Sequence, residues 1–208
     1  EDRFVAQIPE TNVIFDRQTY AGVETYYNFK NKNSTAFPTL GLDAGLTIGY
    51  KTNIDNTEAD NSFAYIRPQL AVDHKLTKSG SVVLATKIAG EALVGDNFEF
   101  YHAATIGGNN SLRGFRNERF TGKQSFYQNT DVRFPLGGLR TSLVPFRFGL
   151  TGSFDYGRVW VEDDPSKKWH NSVGASAWLI GAEAFTANLG YFNSVDGGRV
   201  VFVLGFSF

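Results

Sequence analysis

The 208-residue chain contains no cysteine and no methionine. Without cysteine there is no disulfide framework and no thiolate metal site, and the absence is compatible with any compartment. Without methionine Glu1 is not a translation start, so the chain is expected to be a processed or excised piece from which any signal peptide or upstream domain has been removed. Neither sign of charge is in excess: 20 Lys+Arg face 21 Asp+Glu, which leaves no basic footprint for nucleic acid. No apolar run approaches the ~18 residues of a transmembrane helix, although alternating strands of a barrel would escape that test. Helical signals are scarce, and the best of them, around 175–185, reads equally well as a strand and turn. Phosphate-binding loops, dinucleotide fingerprints and the HExxH zinc motif are all missing.

What is present is alternation with period two, the mark of strands. Over 143–160, Phe146, Phe148, Leu150, Phe154 and Tyr156 alternate with Arg147, Gly149, Thr151, Ser153 and Asp155. The same pattern runs through 20–30, 39–51 and 63–75. A soluble sandwich or a lipocalin-like binder would alternate too. The polar face, however, carries charges and glycines in mid-strand, as a water-lined or side-chain-filled lumen requires. The other face is rich in large aromatics near strand ends, as at a membrane interface. Trp160, Trp169 and Trp178 are read as such belt residues.

Strands are expected near 19–31, 39–53, 61–76, 80–93, 124–136, 144–160, 171–181, 184–193 and 199–208. In the last of these Val200, Phe202, Leu204, Phe206 and Phe208 share one face, and the chain stops on an aromatic. A further crossing over 3–15 makes the number even. The expected fold is therefore an all-β, antiparallel, transmembrane β-barrel of about ten strands, or alternatively eight, forming one domain over 1–208. Short turns such as 76–80 would face the periplasm, and 54–60, 95–123, 161–170 and 194–198 would face outside.

The segment 107–136 stands out. A polar, glycine-rich loop holds one cation, Arg113, between Leu112 and Gly114-Phe115, and runs into a strand carrying Asp131 and Arg133. Loops of this length without secondary structure are usually functional. Strand parity places Asp131 and Asp155 on the inward, polar face.

GGNNSLRGF, then SFYQNTDVRFPL, FDYGRVW and the terminal VFVLGFSF follow one another here as in a known family. Over roughly 20–208 the chain resembles the C-terminal barrel of the bacterial surface antigen family. This is the eighty-five-kilodalton outer-membrane protein superfamily, which includes outer-membrane assembly factors and two-partner-secretion transporters. The resemblance implies that Leu112, Arg113, Gly114 and Phe115 form the loop-tip motif. It further implies that Arg113 docks on acidic wall residues, here Asp131 and Asp155 with Arg133 beside them, and that Phe206 and Phe208 belong to the C-terminal assembly signal. Complete members have about sixteen strands and periplasmic POTRA domains, so this chain corresponds to a piece or to a shortened form.

The docked arginine is read as a structural lock or as a gate for substrate passage or lateral opening, with simple solvent exposure as the third alternative. The expected function is outer-membrane protein assembly or translocation, or anchoring of an upstream domain, in the bacterial outer membrane. The implied partners are the lipid bilayer, client outer-membrane or secreted proteins, and a second copy of the chain. The alternatives are the non-catalytic barrel end of a larger metallophosphoesterase or patatin-like enzyme, and a barrel hydrolase. No catalytic residue, metal or cofactor is assigned. His74, His102 and His170 match no defensible metal spacing even with Asp163 and Asp164 near His170, and Ser111 has no assignable His/Asp partner.

Overall fold

The computed structural model describes residues 18–55, 62–95, 98–141, 144–161, 167–182 and 184–206. One antiparallel sheet dominates. Its strands are β1 (Tyr20–Lys32), β2 (Gly41–Asn53), β3 (Ser62–Lys75), β4 (Val83–Val94), β7 (Gln124–Arg140), β8 (Pro145–Trp160), β9 (His170–Gly181), β10 (Phe185–Ser194) and β11 (Gly197–Phe206). They lie in that spatial order, each paired to its sequence neighbour except across the 95–123 loop. That loop contains a short 3-10 turn (Phe100–His102) and a separate two-stranded ribbon of β5 (Ala104–Ile106) and β6 (Phe120–Gly122).

Nine strands thus form the main sheet among the described residues, at the positions that alternation marks. The expected crossing at 3–15 lies outside the described residues, as does Phe208. No described helix is long and apolar enough to cross a membrane, which says nothing against a barrel.

Alternation works because successive side chains of a strand point to opposite faces. On β8, Leu150 and Phe154 are exposed on the outer face, whereas Thr151, Ser153 and Asp155 are buried on the inner one. Exposed apolar residues also cover the outside of the other strands, among them Tyr27, Ile48, Leu70, Leu189 and Phe202. Phe126, Tyr156, Trp160 and Trp169 form a chain of ring contacts at one rim, with centroids 5.3–6.3 Å apart. Trp178 departs from the belt reading. Its ring points inward, 7% exposed, and packs on Phe37 and Ile180.

Two local irregularities have covalent causes. The β3–β4 ladder is interrupted between Ile66 and Gln69, at Pro68, which has no N–H to donate. The β7–β8 register shifts between Pro135 and Gly137, and the bulge lets β7 continue to Arg140, beyond the end expected from alternation.

The core is inside the sheet. The inserted loop contributes Ile106, Leu112 and Phe115, which pack with Phe120, Tyr127 and Val159. A second cluster joins Ala104 to Phe63, Tyr65 and Leu93 of β3 and β4. A barrel of few strands has an interior that side chains can fill, and here the 95–123 loop supplies many of them.

Candidate functional site: the loop arginine and its wall

Two cross-strand rows on the inner face build the site. Register pairs Asn129 with Asp155, Asp155 with Ser172 and Ser172 with Ser194. One step along the strands it pairs Asp131 with Ser153, Ser153 with Gly174, Gly174 with Phe192 and Phe192 with Arg199. Each row therefore crosses β7 to β10 or β11 with its side chains facing the lumen.

Arg113 lies across both rows. Its Nη2 donates to Asp131 Oδ1 at 2.8 Å and to Asp155 Oδ1 at 2.5 Å, and its Nε donates to Asp155 Oδ2 at 3.0 Å. The Arg113 backbone N–H also donates to Asp155 Oδ2, at 3.0 Å. The guanidinium carbon sits 4.7 Å from the centroid of the Phe192 ring, a cation–π contact. Asp155 has no exposed surface and also accepts from Asn129 Nδ2 at 2.8 Å and Ser172 Oγ at 3.2 Å. Ser153 Oγ donates to Asp131 Oδ1 at 2.8 Å. Burying a carboxylate is tolerated only where hydrogen bonds and a counter-ion replace its water, and Asp155 has both. Burial by itself would lower the Arg113 pKa. The hydrogen bonds and charges of Asp155 and Asp131 outweigh it and raise the pKa above its ordinary value.

The loop tip reaches the wall because of two glycines. A Cβ on Gly114 would stand 2.6 Å from the Ser172 Cβ and 3.1 Å from that of Ser194. Without one, the Gly114 N–H donates to Ser172 Oγ at 3.2 Å, and its carbonyl accepts from Ser194 Oγ at 2.8 Å. On the wall, a Cβ on Gly174 would collide with the Phe192 ring at 2.4 Å, so glycine there leaves room for the ring beneath Arg113. Leu112 and Phe115 are buried on either side of the motif, and the Phe115 carbonyl accepts from Arg199 Nη1. Asn129 Nδ2 also donates to the Ser111 carbonyl.

Thus Leu112, Arg113, Gly114, Phe115, Asp131 and Asp155 come together in the folded chain. Arg133 goes elsewhere. It pairs with Asp73 at 3.1 Å and lies over Phe37, with 5.3 Å between guanidinium carbon and ring centroid. Asn129, Ser153, Ser172, Phe192, Ser194 and Arg199 were not singled out in the sequence. The available signal was parity, since each lies on the polar face of its strand.

The other candidate residues take unremarkable places. The Ser111 hydroxyl exchanges hydrogen bonds with Gly107, accepting from its N–H at 2.7 Å and donating to its carbonyl at 3.2 Å. His170 stacks on Phe120 at 3.6 Å between centroids, and Asp163 and Asp164 lie outside the described residues. His102 sits among Tyr20, Phe63 and Tyr101, with centroids 4.5–4.7 Å away. Burial first, and then the charge of Lys51, lowers its pKa below the ordinary histidine value. No group of three His, Asp or Glu side chains suited to a metal occurs among the described residues.

An apolar-faced antiparallel sheet around a polar lumen that holds its own inserted loop defines an outer-membrane β-barrel. The family model of the Omp85 superfamily domain matches residues 15–191, and the chain belongs to the Omp85 superfamily. It resides in the bacterial outer membrane. The chain is similar to the crystal structure of BamA from Haemophilus ducreyi lacking POTRA domains 1–3, with 17% sequence identity and a TM-score of 0.67. That match covers 88% of this chain and 41% of the other, and it shows the fold. No curated protein matches the chain.

Proposed function

We propose that this barrel, a single domain over 1–208, works at its wall and sheet edges rather than through its lumen, assisting assembly of other outer-membrane proteins. The observation that carries this reading is the docked loop. Among the described residues Arg113 on buried Asp155, with Leu112 and Phe115 packed beside it, occupies the lumen next to β7, β8 and β9, so a polypeptide threading there would have to displace the loop. An extended client can instead be received as an added strand, since a sheet edge offers main-chain donors and acceptors. Among the described residues the main sheet ends on β1 and β11. The Arg113 cluster then serves as the lock that holds the wall in shape while an edge is used. Phe206 and Phe208 act in the assembly of the chain itself. The likeness to BamA favours assembly over a purely anchoring role.

The test is folding of a small outer-membrane barrel into lipid vesicles, with and without the purified full-length protein. Acceleration supports the assembly role. Cross-linking from a photoreactive residue at Tyr27 separates two partners, because adducts form either with the client strand or with a second copy. An unchanged folding rate together with no client adduct would leave only the anchor for an upstream domain.

A further inference from the structure

The lumen is also entered from the opposite end. The turn 33–40 between β1 and β2 folds inward, and Phe37 is 8% exposed. The turn is a preformed unit. Asn33 Oδ1 accepts from the N–H groups of Thr39 (3.0 Å) and Leu40 (3.2 Å), and the Asn33 N–H donates to the Leu40 carbonyl at 3.1 Å. Phe37 N–H donates to Ser34 Oγ at 3.2 Å.

Its seat lies across the barrel. The Phe37 ring packs on Trp178 of β9, centroids 4.2 Å apart. Trp178 in turn lies flat against β8, where a Cβ on Gly149 would stand 2.3 Å from the indole. Arg133 of β7 covers the Phe37 ring and donates to the Pro38 carbonyl at 3.4 Å. Asp73 of β3, 3% exposed, holds both Arg133 and Lys32 at 3.1 Å. A turn carried by β1 and β2 is thereby fastened to β3, β7 and β9.

Cavities lie on both sides of this fastening. Towards the loop end, about 310 Å³ lies along the β1–β4 wall beside Tyr26, Thr47, Gln69 and Tyr127. It shares Arg67, Glu91 and Thr105 with a neighbour of about 420 Å³ that reaches Lys51 and Tyr101. Towards the turn end, about 490 Å³ lies beside Phe37, Lys75, Ser81, Arg147 and Trp178. Along β3 the order is Gln69, Asp73, Lys75, and along β7 it is Tyr127, Arg133, Pro135. The Asp73–Arg133 pair therefore separates the two spaces.

We propose that the 33–40 turn is an inner gate. Phe37 on Trp178 and Arg133 on Asp73 close a side passage for small polar solutes that runs along the β1–β4 wall, beside the docked loop. The inference rests on the barrel reading. The passage carries both signs of charge, with Glu24 and Glu91 facing Arg67, which pairs with both. Lys51 and Glu118 offset each other at the loop end, but Lys75 and Arg147 line the turn end, so an open gate is expected to admit small neutral solutes and to prefer anions to cations.

The test uses the full-length protein in planar bilayers and in vesicles loaded for osmotic swelling with a small sugar. Wild type is expected to conduct little, and Phe37→Ala to conduct several-fold more and to admit the sugar. The chain has no cysteine, so Phe37→Cys offers a second variant with a unique thiol here. It should be open until a bulky aromatic maleimide closes it again. Wild-type conductance in both variants, each retaining the heat-shifted gel band of a folded barrel, overturns the gate. So does a wild type as open as its variants. A protein that never inserts overturns the barrel reading, and the gate with it.

Discussion

Asp155 and Asp131 both hold Arg113, but their surroundings differ. Asp155 is fully buried, whereas the Asp131 side chain keeps 18% of its exposure. Removing one partner of a buried pair leaves an uncompensated charge, at a cost of about 3–5 kcal/mol. Arg113→Ala, which strands buried Asp155, is expected to cost that much, read as a lower denaturant midpoint of the heat-shifted band. Asp131→Ala removes a charged hydrogen bond beside remaining water and should cost less, about 1.5–3 kcal/mol. Equal effects would contradict the asymmetry. Gly114→Ala keeps every charge yet drives a methyl into Ser172. About 1–3 kcal/mol of overpacking is expected, together with protease access to the 107–120 segment.

At the scale of elements, the exposed face of β8 distinguishes a bilayer from water. Leu150 is 49% exposed in mid-strand. In a bilayer Leu150→Arg should cost about 2–4 kcal/mol, because a cation faces lipid. On a soluble sheet the same exposed substitution would lie within about 0.5 kcal/mol of neutral. Reversible unfolding from vesicles measures the difference. The loop element carries its own pH signature. His102 has a lowered pKa in the fold, so both states are neutral above about pH 6.5 and stability there is unaffected. As pH falls below that value the unfolded chain takes up the proton first. The stability that the neutral ring contributes is then lost progressively down to the folded pKa. Thermal midpoints at pH 7.5 and 5.5 should differ more for wild type than for His102→Phe.

For the whole molecule, the exposed apolar belt predicts dependence on detergent or lipid and a heat-modifiable gel band. A monomer that stays folded and soluble in buffer alone would exclude the membrane reading. The docked loop and the Phe37 turn occupy the lumen from opposite ends and use different carboxylates. Arg113→Ala and Phe37→Ala should therefore act nearly independently, adding within about 0.5 kcal/mol in stability as uncoupled sites do.

The amino-acid sequence by itself determined the strands, their faces and the motif loop. Alternation is a local consequence of the pleat, so Asp131 and Asp155 could be placed on the inner face with no knowledge of neighbours. The same parity was available for Trp178, which shares its face with Ser172, Gly174 and Ser176, but tryptophan near a strand end is read as belt. Only the tertiary structure decided who meets across the lumen. It sent Arg133 to Asp73 rather than to Arg113, put Phe192 beneath the guanidinium, and carried Phe37 over to Trp178. Those meetings depend on strand register and on how far a loop or turn reaches into a shared interior. Both are properties of the assembled sheet that no local period encodes.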